Sequence, residues 1–109
     1  MILDYNTLPF EDIPHFKDGE GTFRVQMYFD GTTRIMHGFL APGASIGLHR
    51  HEGTAEILFL VRGQGLLTED GVQQTLHANQ CTFCPEGHEH SLFNNGETDL
   101  EFYAAVPKQ

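Results

Sequence analysis

Residues Thr22 to Phe29 read TFRVQMYF and alternate without a break, with Phe23, Val25, Met27 and Phe29 on one side and Arg24, Gln26 and Tyr28 on the other. A period of two belongs to a β-strand that buries one face, and a helix cannot use it. Similar short runs follow: RIMHGFLA, EILFLVRGQGLLTEDGVQQTL, CTFCP and SLFNNGETDLEFYAAV. Asp30-Gly31, Asp70-Gly71 and Asn95-Gly96 are hairpin-type turn signals along this series. Helix signals are nearly absent. Many short strands joined by glycine-rich turns predict an all-β fold, an antiparallel barrel or sandwich of the jelly-roll type.

A chain of 109 residues suits one domain with one modest core. Residues 1–22 are less regular and are expected to form an arm with an edge strand, leaving residues 23–109 for the barrel. One stretch breaks the alternation. Ile57 to Val61, ILFLV, is apolar at five successive positions, so both faces of that strand need cover. A small barrel has a single interior. Its outer face falls to the N-terminal arm or to a second subunit, and a homodimer is the expectation.

Charge narrows the partners. Six basic residues against 15 acidic ones give a net charge of −9. Nucleic acid and anionic membranes reward clustered Lys and Arg, so neither is expected. The N-terminus has no basic segment leading into an apolar one, and nothing approaches the roughly 20 apolar residues of a membrane span. A soluble, cytoplasmic protein is expected. Cys81 and Cys84 form a C-x-x-C pair, which invites a redox or zinc reading. In an extended segment, positions three apart stand about 10 Å apart on opposite faces, too far for a disulfide. Two structural cysteines fit better, one of them free to face a pocket.

The chemistry concentrates around Pro42 to Gly65, PGASIGLHRHEGTAEILFLVRGQG. On a strand, residues i and i+2 share a face, so His49 and His51 offer two imidazoles to one point. Glu56 opens the next strand beyond the turn HEGTA, where a hairpin partner brings its carboxylate to the same point. A further imidazole, His88 or His90, lies in PEGHEH after a Pro-Gly turn. Glu56 directly precedes an apolar run, which suits a buried ligand better than a solvated charge. Three neutral nitrogens and one carboxylate suit a divalent transition metal, Mn, Fe, Ni or Zn, and the lack of thiolate disfavours a structural zinc site. His15, His37, His77 and His88 taken singly read as hydrogen-bonded histidines rather than ligands.

These residues resemble the cupin superfamily. Its first motif is matched by Gly43, His49, His51, Glu56 and Gly63, and its second by Pro85, Gly87, His90 and Asn94. The spacing after Gly87 selects His90 over His88. Where the second motif usually opens with glycine, this chain has Asn79, the residue that best tolerates left-handed backbone after glycine. The resemblance implies a metal-containing barrel, with His49, His51, Glu56 and His90 holding one ion and two adjacent coordination positions left for a small molecule. It implies two classes of function. One is a metal-dependent enzyme of dioxygenase, isomerase or lyase type acting on a small oxygenated metabolite. The other is a non-catalytic module that binds a small ligand. Glu56 is a catalytic candidate as well as a ligand. The strands RIMHGFLA and DLEFYAAV, expected to flank the metal, offer His37 and Tyr103 as acid–base candidates, with Arg24, Gln26, Tyr28 and Arg34 as possible substrate contacts. Gly38 and Gly47 either leave room for a ligand or mark bulges.

Overall fold

A computed structural model describes residues 1–109. Ten strands run in the order β1 (Glu11–Pro14), β2 (Thr22–Phe29), β3 (Arg34–Leu40), β4 (Ser45–Arg50), β5 (Glu56–Arg62), β6 (Gln64–Glu69), β7 (Val72–His77), β8 (Cys81–Cys84), β9 (Glu89–Phe93) and β10 (Leu100–Val106). They pair antiparallel in two sheets, β1-β2-β3-β10-β5-β8 and β4-β9-β6-β7. The fold is an all-β antiparallel jelly-roll barrel. No helix is long and apolar enough to cross a membrane.

The alternation in TFRVQMYF is realised in β2. Phe23 and Val25 are buried in the core with Leu40, Leu60, Leu100 and Phe102. The rings of Phe23 and Phe102 stack across β3, with centroids 5.7 Å apart. Gly38 lies between them on β3. A Cβ there would collide with both rings, so its missing side chain is space for packing and leaves none for a ligand.

The outer side of β2 is less solvated than its polar residues suggest. Gln26 is buried because its Nε2 donates to the carbonyls of Tyr5 and Leu8, each at 2.7 Å. Those bonds fasten the first ten residues over the outer face, where Tyr5 packs edge-on against Tyr103 and Phe10 tilts against Phe39. β1 then pairs along the edge of β2, from Glu11 opposite Val25 to Pro14 opposite Thr22.

This arm stops short of β5. Leu58 and Leu60 of ILFLV enter the core, while Phe59 and Val61 point outward and are about half exposed, at 55% and 45%. Phe83, on edge strand β8, extends the same apolar face. Of the two covers considered for this face, the chain's own arm is used elsewhere.

Cys81 is exposed and Cys84 is buried, and neither is bonded to the other. Their alternate exposure along β8 places them on opposite faces. Burial, then the charges of Glu69, Glu56 and Asp70, push the Cys84 thiol up to about 11, so it stays protonated and unreactive.

Candidate metal centre

The inward face of β4 is set by a bulge. Ile46 is buried in the core, so simple alternation would turn residue 48 inward and leave both histidines outside. Instead the β4–β9 register shifts between Ile46 and His49. The extra residue exposes Leu48 and turns His49 and His51 toward the barrel interior. Gly47 sits at this bulge, and a Cβ there would run into the Lys17 carbonyl oxygen. It therefore marks close backbone contact and a bulge, and opens no ligand space.

The two motif segments are pinned to each other at both ends. Near the centre, the Gly87 amide donates to the His51 carbonyl at 2.7 Å and the His51 amide to the His88 carbonyl at 3.0 Å. At the far end, Gly43 and Asn94 exchange bonds through Ala44, and the buried Asn94 amide group donates to the carbonyls of Leu40 and Thr98. His90 on β9 consequently lies opposite His49. Glu56 does not come from a hairpin partner of β4, as expected, but from the other sheet, as the first inward residue of β5, with Leu58 and Leu60 behind it. The four side chains thus join the two sheets.

Their donor atoms all lie within 4.8 Å of one another and could hold a metal ion. His51 Nε2 is 3.1 Å from Glu56 Oε1, and His90 Nε2 is 2.9 Å from it. His90 Nε2 lies 2.9 Å from that of His51 and 3.2 Å from that of His49. Metal–nitrogen and metal–oxygen bonds of about 2.1 Å put neighbouring donors about 3 Å apart, so these spacings match one shared ion. His49 Nε2 stands farther from Glu56 Oε1, at 3.8 Å.

Hydrogen bonding alone serves this cluster badly. His49 Nδ1–H donates to the Gly47 carbonyl at 2.7 Å, so a neutral ring turns the Nε2 lone pair toward its neighbours. His51 Nδ1 likewise pairs with the Thr54 hydroxyl at 3.0 Å. Fixing the outer nitrogen is how proteins orient metal-binding imidazoles. Facing lone pairs beside a carboxylate call for a cation, and the donor set fits a divalent one. Burial raises the Glu56 carboxyl, but the contacts of His49, His51 and His90 outweigh it and hold the group well below the usual carboxylate range. It is an anion at neutral pH.

A cavity of about 320 Å³ adjoins the cluster and reaches His49, His51 and Glu56 along one wall. Met36, Val106 and Arg34 also line it.

A model of the cupin domain matches residues 36–106. This chain is a cupin. An oxalate-binding protein of Thermotoga maritima is 42% identical to it over 97% of this chain and 93% of that protein. Among solved structures, a predicted oxalate decarboxylase from Thermotoga maritima superposes with a TM-score of 0.92 at 30% identity, with full coverage of both chains. An RmlC-like cupin from Shewanella frigidimarina has a TM-score of 0.80 at 19% identity, covering 99% and 90%, and shares the fold.

Other expected site residues fall elsewhere in this cupin. His37 and Tyr103 do not flank the metal cluster. Each alternates with inward residues, Met36 and Gly38 for the first and Phe102 and Ala104 for the second, so both project from the outer face of the six-stranded sheet. Their rings stack there at 4.4 Å. Arg24, Gln26 and Tyr28 share that outer side, and Arg24 pairs with Asp12. Only Arg34 of the four suggested contacts reaches the cavity. Of the remaining histidines, His88 pairs with Asp70 at 2.5 Å on the surface, and His15 bonds the Gly19 carbonyl. Thr54 was missed by the sequence reading. Its place three residues after His51, in the turn before β5, is the signal that could have found it.

Proposed function

We propose that this cupin holds one divalent transition metal, Mn, Fe, Ni or Zn, through His49, His51, Glu56 and His90, and uses it to bind a small oxygenated ligand of the oxalate type. The observation that carries the reading is the convergence of three Nε2 atoms and one carboxylate oxygen beside a cavity. A bound divalent ion supplies positive charge that anchors and polarises a carboxylate. The Gly47 carbonyl and the Thr54 hydroxyl hold two of the rings in place. Ile46, Leu58 and Leu92 are buried beside His49, Glu56 and His90 and give the cluster an apolar border. The Thermotoga maritima relative supports oxalate as the first ligand to test.

Protein purified without added metal should carry about one ion per chain by elemental analysis. Oxalate should raise its melting temperature in step with RT ln(1 + [L]/Kd), and should not do so in a metal-free His49→Ala/His90→Ala variant. An equal rise in both would place the ligand away from the metal and overturn the reading.

Catalysis is a second reading of the same centre, of dioxygenase, isomerase or lyase type. The neighbour described as a predicted oxalate decarboxylase favours the lyase type. Glu56 would then act as a base as well as a ligand. Glu56→Gln should keep part of the metal and lose most turnover. If turnover with oxalate is absent from the parent protein while binding is intact, the non-catalytic module is the better description.

A homodimer and a cytoplasmic location belong to the same proposal. The open apolar face of Phe59, Val61 and Phe83 supports the dimer. Light scattering that returned a mass near 12.2 kDa at micromolar concentration would sink it.

A further inference from the structure

Arg34 is the one arginine without a carboxylate partner. Arg24 pairs with Asp12, Arg50 with Glu89 and Arg62 with Glu101. In a chain of net charge −9, an unpaired guanidinium is conspicuous. Its Nε is buried and has no hydrogen-bond partner. Such a donor has lost its water without compensation, and a buried unsatisfied group asks for a reason.

The strand register supplies one. Arg34 lies opposite Val106 on β10, and Ala105 lies opposite Ile57 on β5. One step further places Arg34, Val106 and Glu56 in a single row across three adjacent strands. All three line the cavity. Strands are about 4.8 Å apart, so the backbones of Arg34 and Glu56 stand about 10 Å apart with the small Val106 side chain between them. The Arg34 guanidinium rests 4.6 Å from the centroid of the ring of Phe29, another residue of the cavity lining. Arg50, also on the lining, is committed to the Gly87 carbonyl and to Glu89.

We propose that Arg34 is the specificity-determining residue of the metal pocket, and that it selects dicarboxylates by pairing with the carboxylate that the metal centre leaves free. This rests on the proposed metal-centred binding of small oxygenated ligands and adds the residue that chooses among them. A guanidinium is planar and accepts a carboxylate through two parallel hydrogen bonds, which a lysine cannot reproduce. Capture of a carboxylate supplies the counter-charge that the unpaired guanidinium lacks. A monocarboxylate, with its one charged group on the metal, gains little from it.

The test compares manganese-loaded parent protein with Arg34→Gln and Arg34→Lys by calorimetry, using oxalate, malonate and acetate as probes. Metal content is measured on each sample. Arg34→Gln should weaken malonate and oxalate by about tenfold to a hundredfold, change acetate by less than about threefold, and leave the metal stoichiometry at the parent value. Arg34→Lys keeps the charge and the stem, guards against a folding defect, and should fall between the two. Parent-like dicarboxylate affinity in Arg34→Gln, or an equal loss for acetate, would overturn the assignment of Arg34 while leaving the metal site standing. Failure of the parent protein to bind any of the three carboxylates despite a full metal complement would instead remove the underlying function as well.

Discussion

Two histidine–carboxylate clusters lie on the two sides of the same six-stranded sheet, and they are built to opposite ends. On the inside, His49, His51 and His90 turn their Nε2 atoms on one another and on Glu56, as close as 2.9 Å. On the outside, His37 has a separate acceptor for each ring nitrogen: Gln26 Oε1 at 2.6 Å from Nδ1 and Glu101 Oε2 at 2.7 Å from Nε2. Tyr5 and Tyr103 then close over its ring. The residue types are nearly the same. What differs is whether the polar atoms find fixed partners within the chain. Where they do, the cluster is a fastener. Where lone pairs converge on one point, it could hold a metal ion.

The largest effect should separate the two directly. His49→Ala/His90→Ala should reduce the metal content from about one ion per chain to background, because two of four ligands are lost. His37→Ala should leave it unchanged. Elemental analysis of the two proteins side by side decides the matter, and metal loss in His37→Ala would erase the distinction.

His37→Ala should be felt in stability instead. It leaves the buried Gln26 oxygen without its partner and Glu101 with Arg62 alone, at a cost of about 1–3 kcal/mol. For a chain of this size that lowers the melting temperature by roughly 5–15 °C. The measurement is thermal unfolding of metal-free protein, with acrylamide quenching of the tyrosines as a monitor of the loosened arm.

A smaller effect should follow from Thr54→Val. The His51 ring loses the hydroxyl on its outer nitrogen but keeps its place, so metal affinity should fall about tenfold. Competition with a chelator of known affinity measures this. A change below twofold would mean that the ring is held by packing alone.

The smallest effect concerns acid. Burial raises the Glu56 carboxyl but the three histidine contacts outweigh it, for a folded value well below the usual 4.5. A depressed acid stabilises the fold above its unfolded value and loses that contribution as pH falls toward the folded one. Metal-free protein should therefore lose stability steadily below about pH 4.5. Glu56→Gln should show a flatter acid limb. Urea midpoints between pH 6 and pH 2 test the slope, and parallel curves for the two proteins would assign the acid sensitivity to other carboxylates.

The inner site was far more legible than the outer one. His49 and His51 are two residues apart, Glu56 follows one short turn later, and Pro85 and Gly87 precede His90 at a fixed interval. Across so short a connection as residues 51–56, spacing translates into geometry with little freedom, even though β4 and β5 belong to different sheets. The outer cluster brings Tyr5 from the arm and Glu101 and Tyr103 from β10 onto the Gln26–His37 pair of β2 and β3. No local spacing announces that meeting. Arg34 was named as a contact together with Arg24, Gln26 and Tyr28, and only the parity of β3 separates it from them.

The period of two, the glycine turns and the ligand spacing were properties of the chain alone. They determined an all-β barrel and the meeting of His49, His51 and Glu56, because strand alternation and short-turn closure act over a few residues. The choice of His90 over His88 came from the resemblance to the cupin motif. Tertiary structure decided which way each strand faced. Parity restarts at every turn and slips at every bulge, so no count along the chain could turn His37 outward or bring His49 inward past Gly47. The cover over the outer sheet was also decided there. It depends on where the first ten residues land, and the buried Gln26 amide holds them over His37 and away from Phe59.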